Sequence, residues 1–132
     1  MADNRRVALR QIEGDPARAE QWAEHLAAQQ GYRRAVNGRG DDPLFIHTDE
    51  FDRIVETSRR PYQDHFDADL GPGGWTQINR AHTDLINAAL DTISGQGKTA
   101  LVTFGSAHKY KILRSVEGRE DVELLDTRDL FV

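Results

Sequence analysis

At 132 residues the chain is long enough for one hydrophobic core and too short for two. Hydrophobic residues at 38% and charged residues at 30% describe a globular chain with a very polar surface, and no apolar run approaches the roughly 18 residues of a spanning helix. The net charge of -5 argues against a nucleic-acid-binding face, while the lack of cysteine excludes disulfides, thiolate metal sites and a cysteine nucleophile. With no apolar stretch after Arg5-Arg6 to act as a secretory signal, these features predict a cytoplasmic protein with no membrane association.

Residues 5 to 12 fit either a short strand through Val7 and Leu9 or the start of a helix, because the run is too short for periodicity to decide. Asp15-Pro16 is a helix start, with a capping carboxylate before a proline at the first helical position, and Gly31 is the expected stop. Ala19, Trp22, Ala23 and Leu26 form its apolar stripe. Residues 37 to 43 are loop by composition, rich in glycine, asparagine and proline. A second helix starts at Thr48 or Asp49 and places Phe51, Ile54, Val55, Tyr62, Phe66 and Leu70 on one face, with Pro61 expected to kink or divide it. Gly71-Pro72-Gly73-Gly74 forces a loop, and Trp75 is expected to pin the chain to the core. A third helix runs from about Thr76 to Ser94, carried by Ile78, Leu85, Ile86, Ala89 and Ile93, and stops at Gly95 and Gly97.

The apolar run 99 to 104 reads as a strand, followed by a helix from Ser106 to about Glu117, a turn at Gly118 and a second strand at Val122-Glu123-Leu124-Leu125. This pattern predicts a C-terminal βαβ unit and thus an α/β fold: a helix-rich single domain, residues 1 to 132, with a small, mainly parallel sheet. Two strands make a marginal sheet, so either residues 5 to 12 or 43 to 47 supply more, or another chain completes the layer. A homodimer follows as the expectation.

Ligands of open α/β sheets sit at the carboxyl ends of strands, where helix N-termini offer free backbone N–H groups. That rule nominates the turn Gly105-Ser106-Ala107-His108, with His108 as base or metal ligand, Gly105 and Ser106 shaping an anion cradle, and Lys109 adding positive charge. The plain alternative is that Ser106 caps a short polar helix and nothing more. His82 lies on the apolar stripe of the third helix, where a histidine is more often a hydrogen-bonded core residue than a ligand. Arg80 is placed either to clamp an anion or to pair with Asp84 on the surface. The basic pairs Arg5-Arg6, Arg33-Arg34 and Arg59-Arg60 read as solvated surface, and no zinc-type spacing, phosphate loop or nucleophile elbow is present.

The segment from Ile78 to Leu125 resembles the end of the TraB/Tiki/ChaN and erythromycin-esterase-like superfamily. In that group a helix with an Arg-Asn-like pair precedes a strand of the form Val-Leu-Val-x-x-Gly-x-x-His, then a helix and a strand ending in Asp. The corresponding pieces are Asn79-Arg80, in reversed order, Leu101 to His108, and Val122 to Asp126. The resemblance covers about a third of the chain and implies that Gly105, His108 and Arg80 lie at a site used in some members for metal-dependent or histidine-based hydrolysis. Members also carry an earlier Gly-x-x-His or Glu-x-x-His element, which is missing before residue 105, so the likeness is to a shortened relative or a C-terminal half. Two functions therefore follow as expectations: a small hydrolase-like protein with an anion or divalent-metal site at the 105 to 108 turn, or a non-catalytic module that binds a small anionic molecule or a protein partner.

Overall fold

The computed structural model describes residues 2 to 131. Six α-helices follow one another: α1 (Ala2–Glu13), α2 (Ala19–Ala35), α3 (Pro43–Ile46), α4 (Asp49–Leu70), α5 (Trp75–Ile93) and α6 (Lys109–Val116). Single 3-10 turns lie at Pro16–Arg18, Gly71–Gly73, Ser106–His108 and Thr127–Phe131. No strand occurs among the described residues, so the fold is all-α, and the expected α/β class, parallel sheet and βαβ unit are corrected.

The starts of the helices follow side-chain chemistry. The Asp15 carboxylate accepts the Ala17 N–H, Asp42 accepts that of Leu44, and the Thr48 hydroxyl accepts that of Phe51, each supplying a partner to a donor that a helix start leaves open. The stops were less predictable. Helix α2 passes through Gly31 to Ala35, and α4 runs undivided through Pro61. Residues 5 to 12 are helical, and of residues 43 to 47, the other stretch considered as a strand, 43 to 46 form α3 and His47 ends it.

Helix α4 is the centre of the molecule. Its buried residues Phe51, Val55, Ser58, Tyr62, Phe66 and Leu70 recur at three- and four-residue steps, the spacing of one helical face. Around that face pack α1, α2, α3, α5 and α6. The core joins Phe51, Val55, Tyr62 and Phe66 to Ile12, Phe45, Trp75 and Tyr110, with Phe66 wholly enclosed. In α2 the face turned inward is that of Trp22, His25 and Tyr32, while Ala19, Ala23 and Leu26 are exposed. The expected stripe is thus displaced, because a histidine ringed by Trp22, Tyr62 and Phe66 takes the central place.

The two segments expected as strands lie on the surface. Leu101 is 80% and Leu125 68% exposed, where a parallel strand would be covered on both faces. Apolar, β-branched sequence makes a segment able to pair, but a strand needs a neighbour's backbone, and among the described residues none offers one. Leu85, assigned to the apolar stripe of α5, is 73% exposed for the same reason: the sheet that was to cover it does not form.

Replacing Phe66 by Ala should cost about 3 kcal/mol or more in urea unfolding, as for other enclosed aromatic side chains. Leu85→Ala should stay within about 0.5 kcal/mol of the unmodified chain, as surface changes do. Equal losses at the two positions would contradict the burial pattern.

Candidate functional site

The junction between α4 and α5 builds the site. Gly71 turns the chain with φ 49°, a backbone region that side-chain-bearing residues rarely adopt. A Cβ on Gly74 would lie 2.8 Å from Asp67 Oδ1 and 3.0 Å from the Asp67 carbonyl oxygen, so only glycine fits there. The close approach lets the Asp67 carboxylate accept the N–H groups of Trp75 and Thr76 and the Thr76 hydroxyl, capping α5 from the preceding helix. Trp75 is buried as expected, its indole N–H donating to the Tyr110 hydroxyl at 3.0 Å.

Trp75, Asn79 and His82 then share one face of α5. The seven residue steps from Trp75 to His82 span about 10.5 Å of helix rise, room for one more ring. His108 fills it, stacked on Trp75 at 4.7 Å and 20° and on His82 at 4.8 Å and 16° between centroids and planes. The Asn79 amide nitrogen donates to the Trp75 carbonyl oxygen at 2.7 Å, which leaves its Oδ1 to accept from His108 Nδ1 at 2.9 Å. This chain of bonds assigns the proton to Nδ1 and leaves the lone pair on Nε2. Burial, then the neighbouring His82 and Arg59, holds the His108 pKa below the ordinary histidine value. Arg59 reaches in from α4, its guanidinium 4.7 Å from the Trp75 ring centroid.

The other nominated residues go elsewhere. Arg80 is 74% exposed and stands 3.9 Å from Asp84, outside the stack. Lys109 is buried and donates to Asp52 Oδ2 at 2.7 Å, tying α6 to α4, so its charge is already matched. Ser106 is exposed and makes no capping hydrogen bond through its side chain. Gly105 has φ -66° and ψ 131°, an ordinary extended conformation, and a Cβ there would meet only His108 Cδ2 at 3.7 Å. The turn at Gly105 thus makes no demand that only glycine meets, since without a preceding strand the chain has no sharp reversal to make.

No family model, curated protein or solved structure matches this chain. The chemistry must be read from its own geometry. Two rings stacked 16° from parallel have no nearby point in both planes, so the in-plane lone pairs of His82 and His108 do not converge on one ion. Among the described residues no three histidine or carboxylate side chains gather as metal ligands, so the donor set for a divalent metal is lacking.

Beside the stack is a cleft of about 100 Å3 between α2 and α4. Gln29, Tyr32, Arg33, Ser58 and Arg59 give it polar groups, and Val55 and Ala107 complete its lining. Gln29 also donates to His25 Nε2 at 2.9 Å, while the buried Nδ1 of His25 takes no hydrogen bond. Sequence reasoning passed over both arginines as solvated pairs. The signal that separates Arg33 and Arg59 from their neighbours is helical phase: each lies about a turn from an inward residue, Gln29 and Val55 respectively.

The histidines set the response to acid. Burial is the leading cause that lowers His25, His47 and His108, with Arg59 adding to the effect at His25 and Lys109 at His47. The fold therefore prefers these rings neutral, and the unfolded chain binds their protons first as pH falls. Stability should be complete above about pH 6.5 and decline below it, with unfolding taking up protons. Urea midpoints across that range check this, and His108→Gln should flatten part of the slope. Gly105→Ala should leave the midpoint nearly unchanged, within about 0.5 kcal/mol.

Proposed function

We propose that the chain is a binding module for a small oxyanion, of the phosphate or carboxylate class, held in the cleft between α2 and α4. One observation carries the reading. Arg33 and Arg59 are the two arginines that line the cleft, and among the described residues neither pairs with a carboxylate, a condition they share with Arg10, Arg34, Arg53 and Arg60, whereas Arg18, Arg39, Arg114, Arg119 and Arg128 each bind one. No acidic side chain lines the cleft they share. Two guanidinium groups present forked donors suited to an oxyanion, and Gln29, Tyr32 and Ser58 supply neutral hydrogen-bonding groups around them. A volume of about 100 Å3 exceeds the roughly 15 Å3 that one water needs, enough for a small ion with part of its shell.

Hydrolysis is the second reading, favoured by His108 Nε2. With Nδ1 held by Asn79, that lone pair is oriented to take a proton from water, and Ala107 joins this ring to the cleft lining. Against it stand Arg80 and Lys109, which were to orient and polarise a substrate and lie, respectively, at the surface and in an ion pair.

Thermal unfolding with inorganic phosphate tests the proposal. A ligand at about 100 times its dissociation constant adds about 2.7 kcal/mol to stability, so millimolar phosphate should raise the melting temperature. The double variant Arg33→Gln with Arg59→Gln should lose that rise, and His108→Gln should retain it. No rise in the unmodified chain with phosphate, sulfate or acetate would refute the binding reading. Turnover of a nitrophenyl ester or phosphate that is lost in His108→Gln would establish hydrolysis instead.

A further inference from the structure

The cleft between α2 and α4 offers a ligand more than positive charge, because the neutral side chains on its wall have a hydrogen-bonding sense fixed by their neighbours. The Ser58 hydroxyl donates to the Val55 carbonyl oxygen at 2.7 Å, so its one hydrogen is spent inside α4. Ser58 is buried, and its oxygen keeps only lone pairs for a ligand in the cleft it lines. The Gln29 amide nitrogen is held at His25 Nε2, 2.9 Å away on the same helix, and the carbonyl oxygen is the end of that amide without a partner. Tyr32 can donate or accept, and Val55 and Ala107 do neither through their side chains. The fixed donors on the wall are therefore the guanidinium groups of Arg33 and Arg59, and the fixed acceptors are Ser58 and Gln29.

That combination distinguishes between anions of one size and charge. A fully ionised oxyanion such as sulfate has no hydrogen to give, and its lone pairs meet those of Ser58 and Gln29 unless these side chains abandon the bonds they hold. An oxyanion that retains an O–H satisfies both sets of groups: its charged oxygens accept from the arginines and its hydroxyl donates to Ser58 or Gln29. A site built to pair with a ligand O–H rejects the analogue without one, because its own polar groups are then left unpaired. The hydrogen phosphate dianion keeps such a proton, whereas sulfate, of like shape and charge, has none. We propose that the cleft selects oxyanions bearing a hydroxyl hydrogen, hydrogen phosphate above sulfate, with Ser58 and Gln29 as the residues that set this specificity. The inference rests on the oxyanion-binding reading and narrows its ligand class from any phosphate or carboxylate to one that both accepts and donates.

The test compares inorganic phosphate, sulfate and methyl phosphate on the full chain at one ionic strength, with dissociation constants taken from the rise of melting temperature with ligand concentration. At about pH 8 a phosphate monoester, whose second pKa is about 6, has lost its last proton, so methyl phosphate reports on an ester without an O–H. Phosphate should bind roughly tenfold or more tighter than either of the others, as expected when an ion leaves a buried acceptor unpaired. Ser58→Ala removes one acceptor and should bring the ratio of phosphate to sulfate affinity toward one by weakening phosphate alone. Gln29→Met, at a half-buried position, should narrow the ratio in the same direction. Loss of packing would instead weaken both ions together. Equal binding of phosphate and sulfate, methyl phosphate binding as tightly as phosphate, or a preference that both variants preserve overturns the selectivity and leaves anion binding standing. Failure of all three ions to bind removes both.

Discussion

The capping of α5 by Asp67 is the constraint on which the site depends. That carboxylate, carried on the last turn of α4, begins α5 while the Asp67 backbone carbonyl accepts the Gly71 N–H that closes α4, and it does so across two glycines whose missing side chains let the backbone fold back upon it. The angle between the helices is thereby set beside the residue that matters most, Trp75. Its indole faces Tyr110, its carbonyl holds Asn79, and its ring carries His108 on one contact and Arg59 on another. An acidic side chain at a helix start also meets the positive end of the helix dipole, which adds to the hydrogen bonds. A loss of this cap would alter the orientation of four functional side chains without touching any of them directly.

A second tie holds α6 in register. Lys109 and Asp52 form an ion pair with little solvent, and one Asp52 oxygen remains buried without a hydrogen bond. Pairs of this kind contribute little net stability against well-packed apolar residues, yet removing one partner strands the other charge in the interior. The pair is better understood as fixing where α6 begins, and so where His108, the residue before it, is presented. The same positive charge that made Lys109 attractive as an anion ligand is what makes it a good anchor.

Much of this arrangement was written locally. The caps at Asp15 and Thr48, the loop at residues 71 to 74, the inward Trp75 and the helix after Ser106 all follow from side chains acting within a few residues of themselves. His108 and His82 were nominated from sequence and do meet. What was not legible depended on distant partners. The run 99 to 104 has strand-forming residues, but whether a strand exists is decided by a neighbour, and the composition of the run says nothing of one. The inward face of α2 is not legible from apolar spacing, because His25 rather than Ala23 or Leu26 turns inward, fitting a ring of three aromatic side chains and sharing a hydrogen bond with Gln29 one turn away. Arg59 reads in sequence as half of a basic pair, but its phase on α4 turns it toward Trp75 and the cleft.

The stack of Trp75, His108 and His82 is shared between two carriers. Two of its rings belong to α5, the third arrives from the other end of residues 94 to 103, all of them exposed and turned by Gly95 and Gly97 at φ 71° and 64°. The core beneath depends on α4 and its close neighbours, so the loop can open, or be cut by a protease, at a free energy below that of global unfolding. Opening the loop alone leaves His108 in place, because Lys109 and Tyr110 beside it stay tied to Asp52 and Trp75; only when this first turn of α6 also lets go does His108 part from Asn79 and its ring regain water. The tautomer of this histidine is therefore as secure as the first turn of α6, with backbone amide exchange in residues 105 to 110 as its natural clock.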